Sequence, residues 1–145
     1  MANIIKYNVD TTWTSDSTFV TNINSLANAG TALGSAITNG TNLAMILELG
    51  FILGSITPTG SPYVEIHVVP LLGDGTTYAD FAAGGPTLRA SLSMSTAGAA
   101  KNLYSDQIII PPGTFKGGLV NETGVTLSAT GNSAWYRLTN YNNNG

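Results

Sequence analysis

Apolar and polar side chains alternate along much of this chain with a period of two. Leu43, Met45, Leu47, Leu49, Phe51 and Leu53 interleave with Ala44, Ile46, Glu48, Gly50 and Ile52. Val64, Ile66 and Val68 interleave with Tyr63, Glu65, His67 and Val69, and Leu88, Ala90, Leu92 and Met94 with Arg89, Ser91 and Ser93. A strand sends successive side chains to opposite faces, so the first set in each case is the predicted core face. Glu65 and His67 then point away from the core. Further strands are predicted over residues 104–110, 115–120, 124–129 and 134–141, divided by Pro-Pro-Gly, Asn-Glu-Thr-Gly and Thr-Gly-Asn turns. Asn39-Gly40 tolerates positive φ at both positions and predicts a hairpin joining residues 31–38 to residues 43–53. Residues 17–26 read either as a short helix opened by Asp16 or Ser17 or as a strand pair. Residues 1–10 read as an N-terminal arm and residues 142–145 as a frayed C-terminal tail.

Each predicted strand has one apolar face to bury, and two packed antiparallel sheets bury them all. The expectation is an all-β, antiparallel two-sheet sandwich of eight or nine strands, jelly-roll-like, in one domain over residues 1–145. The Cys-Trp-Cys pattern of an immunoglobulin sandwich is absent.

Composition changes the picture of the surface. Charged residues make up 9% of the chain, against about 25% in an ordinary soluble domain. Solubility rests instead on neutral polar groups, because 45 of the 145 residues are Thr, Ser or Asn. The five basic residues Lys6, Arg89, Lys101, Lys116 and Arg137 are scattered, and the net charge is −3. No cluster exists to neutralise phosphates or anionic lipid, so neither nucleic acid nor membrane is expected as a partner. With no cysteine, disulfides and thiolate metal sites are excluded. The start of the chain shows no secretory pattern, and synthesis in a cytoplasm is expected.

Candidate chemistry is sparse. His67 is the only histidine, and no Gly-x-Ser-x-Gly elbow supplies a nucleophile. Glu65 and His67 share a strand face about 7 Å apart, which suits two polar residues on a solvent- or subunit-facing surface. Asp74 and Asp80 bracket a turn-rich loop without the spacing of a calcium site. Gly117-Gly118 inside a strand pattern marks a bulge or a close backbone approach. Trp13, Trp135, Tyr136 and Tyr141 suggest a sugar-stacking platform, or core and interface packing. The expectation is a non-enzyme with no catalytic, cofactor-binding or metal site residues and no cofactor.

The order of motifs resembles a known family. Trp13 and a Ser/Thr-rich start precede Leu26-Ala-Asn-Ala-Gly30 and the strand over residues 43–53. Residues 64–70 then lead to Leu72-Gly-Asp-Gly-Thr-Thr-Tyr-Ala-Asp80, followed by Ile108-Ile-Ile-Pro-Pro-Gly-Thr-Phe115 and Asn121-Glu-Thr-Gly124. This succession is similar to the capsid decoration, or cement, proteins of tailed bacteriophages. The resemblance implies a structural protein on the capsid exterior of the virion, made in the host bacterial cytoplasm. It implies homotrimers that clamp adjacent major capsid proteins. The alternative is a trimeric tail-fibre or baseplate module that recognises host surface carbohydrate.

Overall fold

The computed structural model describes residues 4–9, 14–15, 19–39, 44, 46–110 and 112–144. Nine strands lie among them: β1 Ile4–Val9, β2 Thr14–Ser15, β3 Thr31–Asn39, β4 Ile46–Ile56, β5 Tyr63–Pro70, β6 Leu88–Ser93, β7 Ala99–Ile109, β8 Gly113–Glu122 and β9 Ser133–Asn144. One sheet has the order β1-β9-β4-β7, with β2 also paired to β9, and the other has the order β3-β8-β5-β6. Every pairing is antiparallel. With β1 and β2 taken as one interrupted edge strand, this is the eight-strand order of a jelly roll. The expected fold class is the observed one.

The core lies between the sheets and is built by the alternation. Leu47, Leu49, Phe51 and Leu53 of β4 face Val64, Ile66 and Val68 of β5 and Phe115 and Leu119 of β8, all buried in one apolar cluster. Full burial of each such side chain stabilises by roughly 1.5–3 kcal/mol. Phe19, outside the strands, plugs this core edge-on to Phe51 at 6.5 Å between ring centroids and against Tyr136 at 6.2 Å. It sits where Gly117 leaves room. A Cβ at Gly117 would overlap the carbonyl oxygen and ring of Phe19. The glycine pair therefore marks a close approach, and the bulge lies across from it. Leu33 pairs with Gly118 and Ala36 with Lys116, so Gly34 and Ser35 together face Gly117.

Several local expectations are overturned. Asn39-Gly40 does not close a hairpin, because β3 pairs with β8 while β4 pairs with β7 and β9 in the other sheet. The Asn39 side chain instead bridges to Ala44, donating from Nδ2 to its carbonyl and accepting its N–H at Oδ1, both at 2.7 Å. Gly40, Leu43 and Met45 lie outside the described residues. No helix forms over residues 19–29, where Asn22, Ser25 and Ala29 all have φ near +57° (58°, 56° and 57°). Left-handed residues at those positions break a right-handed helix. Residues 124–129 form no strand. They run as a loop laced to residues 23–30 by Ser25 N–H to the Ser128 carbonyl, Leu127 N–H to the Leu26 carbonyl and Gly124 N–H to Asn28 Oδ1. Loop–loop bonds satisfy this backbone as a ladder would. Residues 4–9, expected as a free arm, pair with β9 from Ile4↔Asn144 to Val9↔Thr139, which also engages the expected tail.

Candidate functional site

Glu65 and His67 do point away from the core, as their parity requires, but they do not face solvent. Residues 71–87 fold back over the outer face of the four-stranded sheet. The loop is pinned by Ala79 N–H to the Pro70 carbonyl, Leu71 N–H to the Thr114 carbonyl and Val68 N–H to the Thr87 carbonyl. Lys116 Nζ stands 4.2 Å from the Tyr78 ring centroid and adds a cation–π contact. Beneath this cover His67 is 0% exposed. Its Nδ1 lies 2.9 Å from Thr87 Oγ1 and its Nε2 lies 3.1 Å from Glu65 Oε2. Gly84 N–H donates to the same carboxylate oxygen at 2.8 Å. Phe81 packs edge-on over the imidazole at 4.8 Å. Room for that ring comes from Gly118, where a Cβ would lie 2.8 Å from Phe81.

Thr87, His67 and Glu65 thus form a hydroxyl–imidazole–carboxylate chain, the order of a nucleophilic triad. Its setting defeats that use. All three residues are buried, and the loop that supplies Thr87 also closes over the imidazole. Burial, opposed by the Glu65 carboxylate, holds the His67 pKa below its ordinary value. The chain fastens the loop to the sheet.

Asp74 is equally occupied. Its Oδ1 accepts the N–H groups of Thr76 and Thr77 at 3.0 and 2.9 Å, and a bond from the Thr77 side chain, followed by these two, holds its pKa down at about 2. Asp80 takes no part in this turn. Among the described residues no three His, Cys, Asp or Glu side chains come together as a metal-binding group. The aromatic platform is divided. Tyr136 turns inward to Phe19, whereas Trp135 occupies the opposite parity. Trp13 lies outside the described residues.

The outer face of the five-stranded sheet holds a second polar cluster. Glu48 on β4 pairs in register with Arg137 on β9, and Arg137 Nε donates to Glu48 Oε2. Tyr104 on β7 donates its hydroxyl to Glu48 Oε1 at 2.9 Å. The Arg137 bond, followed by that of Tyr104, holds the Glu48 pKa below the usual carboxylate range. Desolvation and the facing carboxylate push the Tyr104 hydroxyl upward. On one side of this buried carboxylate Ile46 and Thr139 of the same face are buried too, while on the other the face carries Tyr104, 52% exposed, and Ile52, also exposed, with Ile109 76% exposed further along β7. The sequence signals for this face were Glu48 and Gly50 at outward positions of an otherwise apolar strand. Tyr104 and Arg137 stood on separate strands with nothing to link them.

No family model and no curated protein sequence matches this chain. Three solved chains resemble its fold. One is a family 6 carbohydrate-binding module whose binding sub-sites were dissected by crystallography and titration calorimetry. It is 11% identical, with a TM-score of 0.42, over 95% of this chain and 93% of that one. So loose a likeness carries no argument about function.

Proposed function

We propose that this chain is a non-catalytic structural protein of a tailed-phage virion, binding the outer surface of the capsid and clamping adjacent major capsid proteins. The supporting observation is how its reactive groups are used. His67, Glu65, Thr87, Asp74 and Glu48 are each engaged in internal bonds. What remains exposed is mainly neutral polar and apolar surface, with Asp74, Asp80 and Arg89 as scattered charges, and so sparse a charge suits close packing against protein without strong long-range repulsion. The jelly roll is also an architecture of viral capsid domains. The protein acts as a homotrimer on the capsid exterior after synthesis in the host cytoplasm. Residues 4–9 pair along β9 of their own chain, so attachment in this reading rests on the faces of the sandwich.

The test is sedimentation of purified protein with undecorated heads at low and high salt. Binding to heads is expected, and it should persist where screening shortens the Debye length to about 3 Å. Binding to tails or host cells alone would overturn the capsid assignment. Loss of head binding in high salt would overturn the neutral-interface account.

A further inference from the structure

One cross-strand row on the outer face of the five-stranded sheet reads Tyr104, Gly50, Trp135, since both aromatics stand opposite Gly50 in register. Neighbouring strands are about 4.8 Å apart, so the two aromatics spring from backbone positions roughly 10 Å apart, on either side of a position without a side chain. The next row along is Asn102, Ile52, Ser133. On the other side lies the Glu48–Arg137 pair. Tyr104 is tied down by its hydroxyl bond to Glu48, so its exposed ring is fixed before any ligand arrives.

We propose that this row is a binding site for a neutral saccharide, with a pyranose ring seated over Gly50 between Tyr104 and Trp135. A pyranose presents apolar C–H faces and a rim of hydroxyls. The aromatics offer flat apolar surface, while Asn102, Ser133 and the Glu48–Arg137 pair supply polar atoms at the rim. Glu48 and Arg137 cancel each other's charge, so the site favours an uncharged ligand over an acidic one. An aromatic already held in place loses little conformational freedom on binding. The saccharide site does not depend on capsid attachment, and it assigns attachment to a different surface.

The experiment is isothermal titration calorimetry of the full chain against cellotetraose, maltotetraose, mannotetraose, chitotetraose and β-1,4-galactotetraose. At least one is expected to bind. Tyr104→Ala and Trp135→Ala should weaken that binding by about tenfold or more, as removal of an aromatic anchor does. Tyr104→Phe keeps the ring and should stay within about threefold, the tie to Glu48 being a single hydrogen bond. Gly50→Val adds a strand-favouring residue and fills the floor. It should lose binding, and a thermal melt of the same variant separates a blocked site from a damaged fold. The proposal is overturned by five titrations without heat, or by Tyr104→Ala binding as tightly as the parent. It is equally overturned if Tyr104→Ala abolishes head binding while no sugar binds, which would make the face a protein contact.

Discussion

Asn121→Ala should be among the most damaging single substitutions in this protein. Asn121 is fully buried at the end of β8. Its Nδ2 faces the carbonyls of Leu26, Ala27 and Val125 at 2.9, 3.0 and 2.8 Å. Its Oδ1 accepts from the Thr123 N–H at 3.1 Å and the Thr123 hydroxyl at 2.7 Å. An amide has two hydrogens, so one is shared between carbonyls, and the side chain makes about four full hydrogen bonds. At about 1 kcal/mol net for each, with part of the burden relieved by water reaching the freed carbonyls, the loss is about 3–5 kcal/mol. For a chain of this length that lowers Tm by roughly 10–15 °C. Urea unfolding followed by circular dichroism measures it, with an unchanged m-value showing that the unfolded state is not the cause. Asn121→Asp is an internal control. It keeps the acceptor for Thr123 but turns a second oxygen toward three carbonyls, so it should cost at least as much as the alanine. A loss below about 1 kcal/mol for Asn121→Ala, or a neutral Asn121→Asp, would refute the view that one amide holds the two loops together.

Gly117→Ala should cost about 2–3 kcal/mol, because its methyl group must displace the Phe19 carbonyl and ring from a packed core. Thermal melts measure this, and a stability equal to the parent would show that residues 19–23 give way freely. His67 should make stability fall with acid, since its pKa in the folded protein lies below the ordinary 6.5. The neutral imidazole's contribution is complete above pH 6.5 and is lost as pH falls toward the folded value, with a slope of at most about 1.4 kcal/mol per pH unit. Urea midpoints at pH 7.5 and 5.0 should therefore separate more in the parent than in His67→Gln, and equal separations would contradict the assignment.

What was legible in the sequence was whatever a period of two reports. The inward faces of β4, β5 and β6 follow directly from residues 47–53, 64–68 and 88–92, and Gly117-Gly118 announced a backbone approached closely on both sides. Pairing was less legible. Asn39-Gly40 signals a turn, but a turn does not state whether the chain returns beside itself or crosses to the other sheet. Residues 124–129 have strand-like alternation, and only the neighbouring left-handed segment over residues 22–29 shows that their hydrogen bonds go to another loop. Parity placed Glu65 and His67 on the correct face. Their burial depended on a loop that leaves the sheet at Pro70 and returns at Thr87, which no local pattern encodes. The Tyr104–Glu48–Arg137 cluster draws on three strands separated by more than thirty residues at each step, so it became visible only with the register.

The strand order has a consequence for how this protein is made. β1 waits for β9, β3 waits for β8, and β4 waits for both β7 and β9. Among the described residues the one pair of successive strands that meet, β5 and β6, is separated by the whole of residues 71–87. A growing chain on the ribosome therefore has almost no local contact to settle into, and loop closure must precede nearly every stabilising pair. Until residues 133–144 have been synthesised, β1 has no neighbour and β4 has one bare flank. The half-made chain keeps its long apolar β4 run unprotected, which makes translation the interval in which its apolar surface is most open to aggregation.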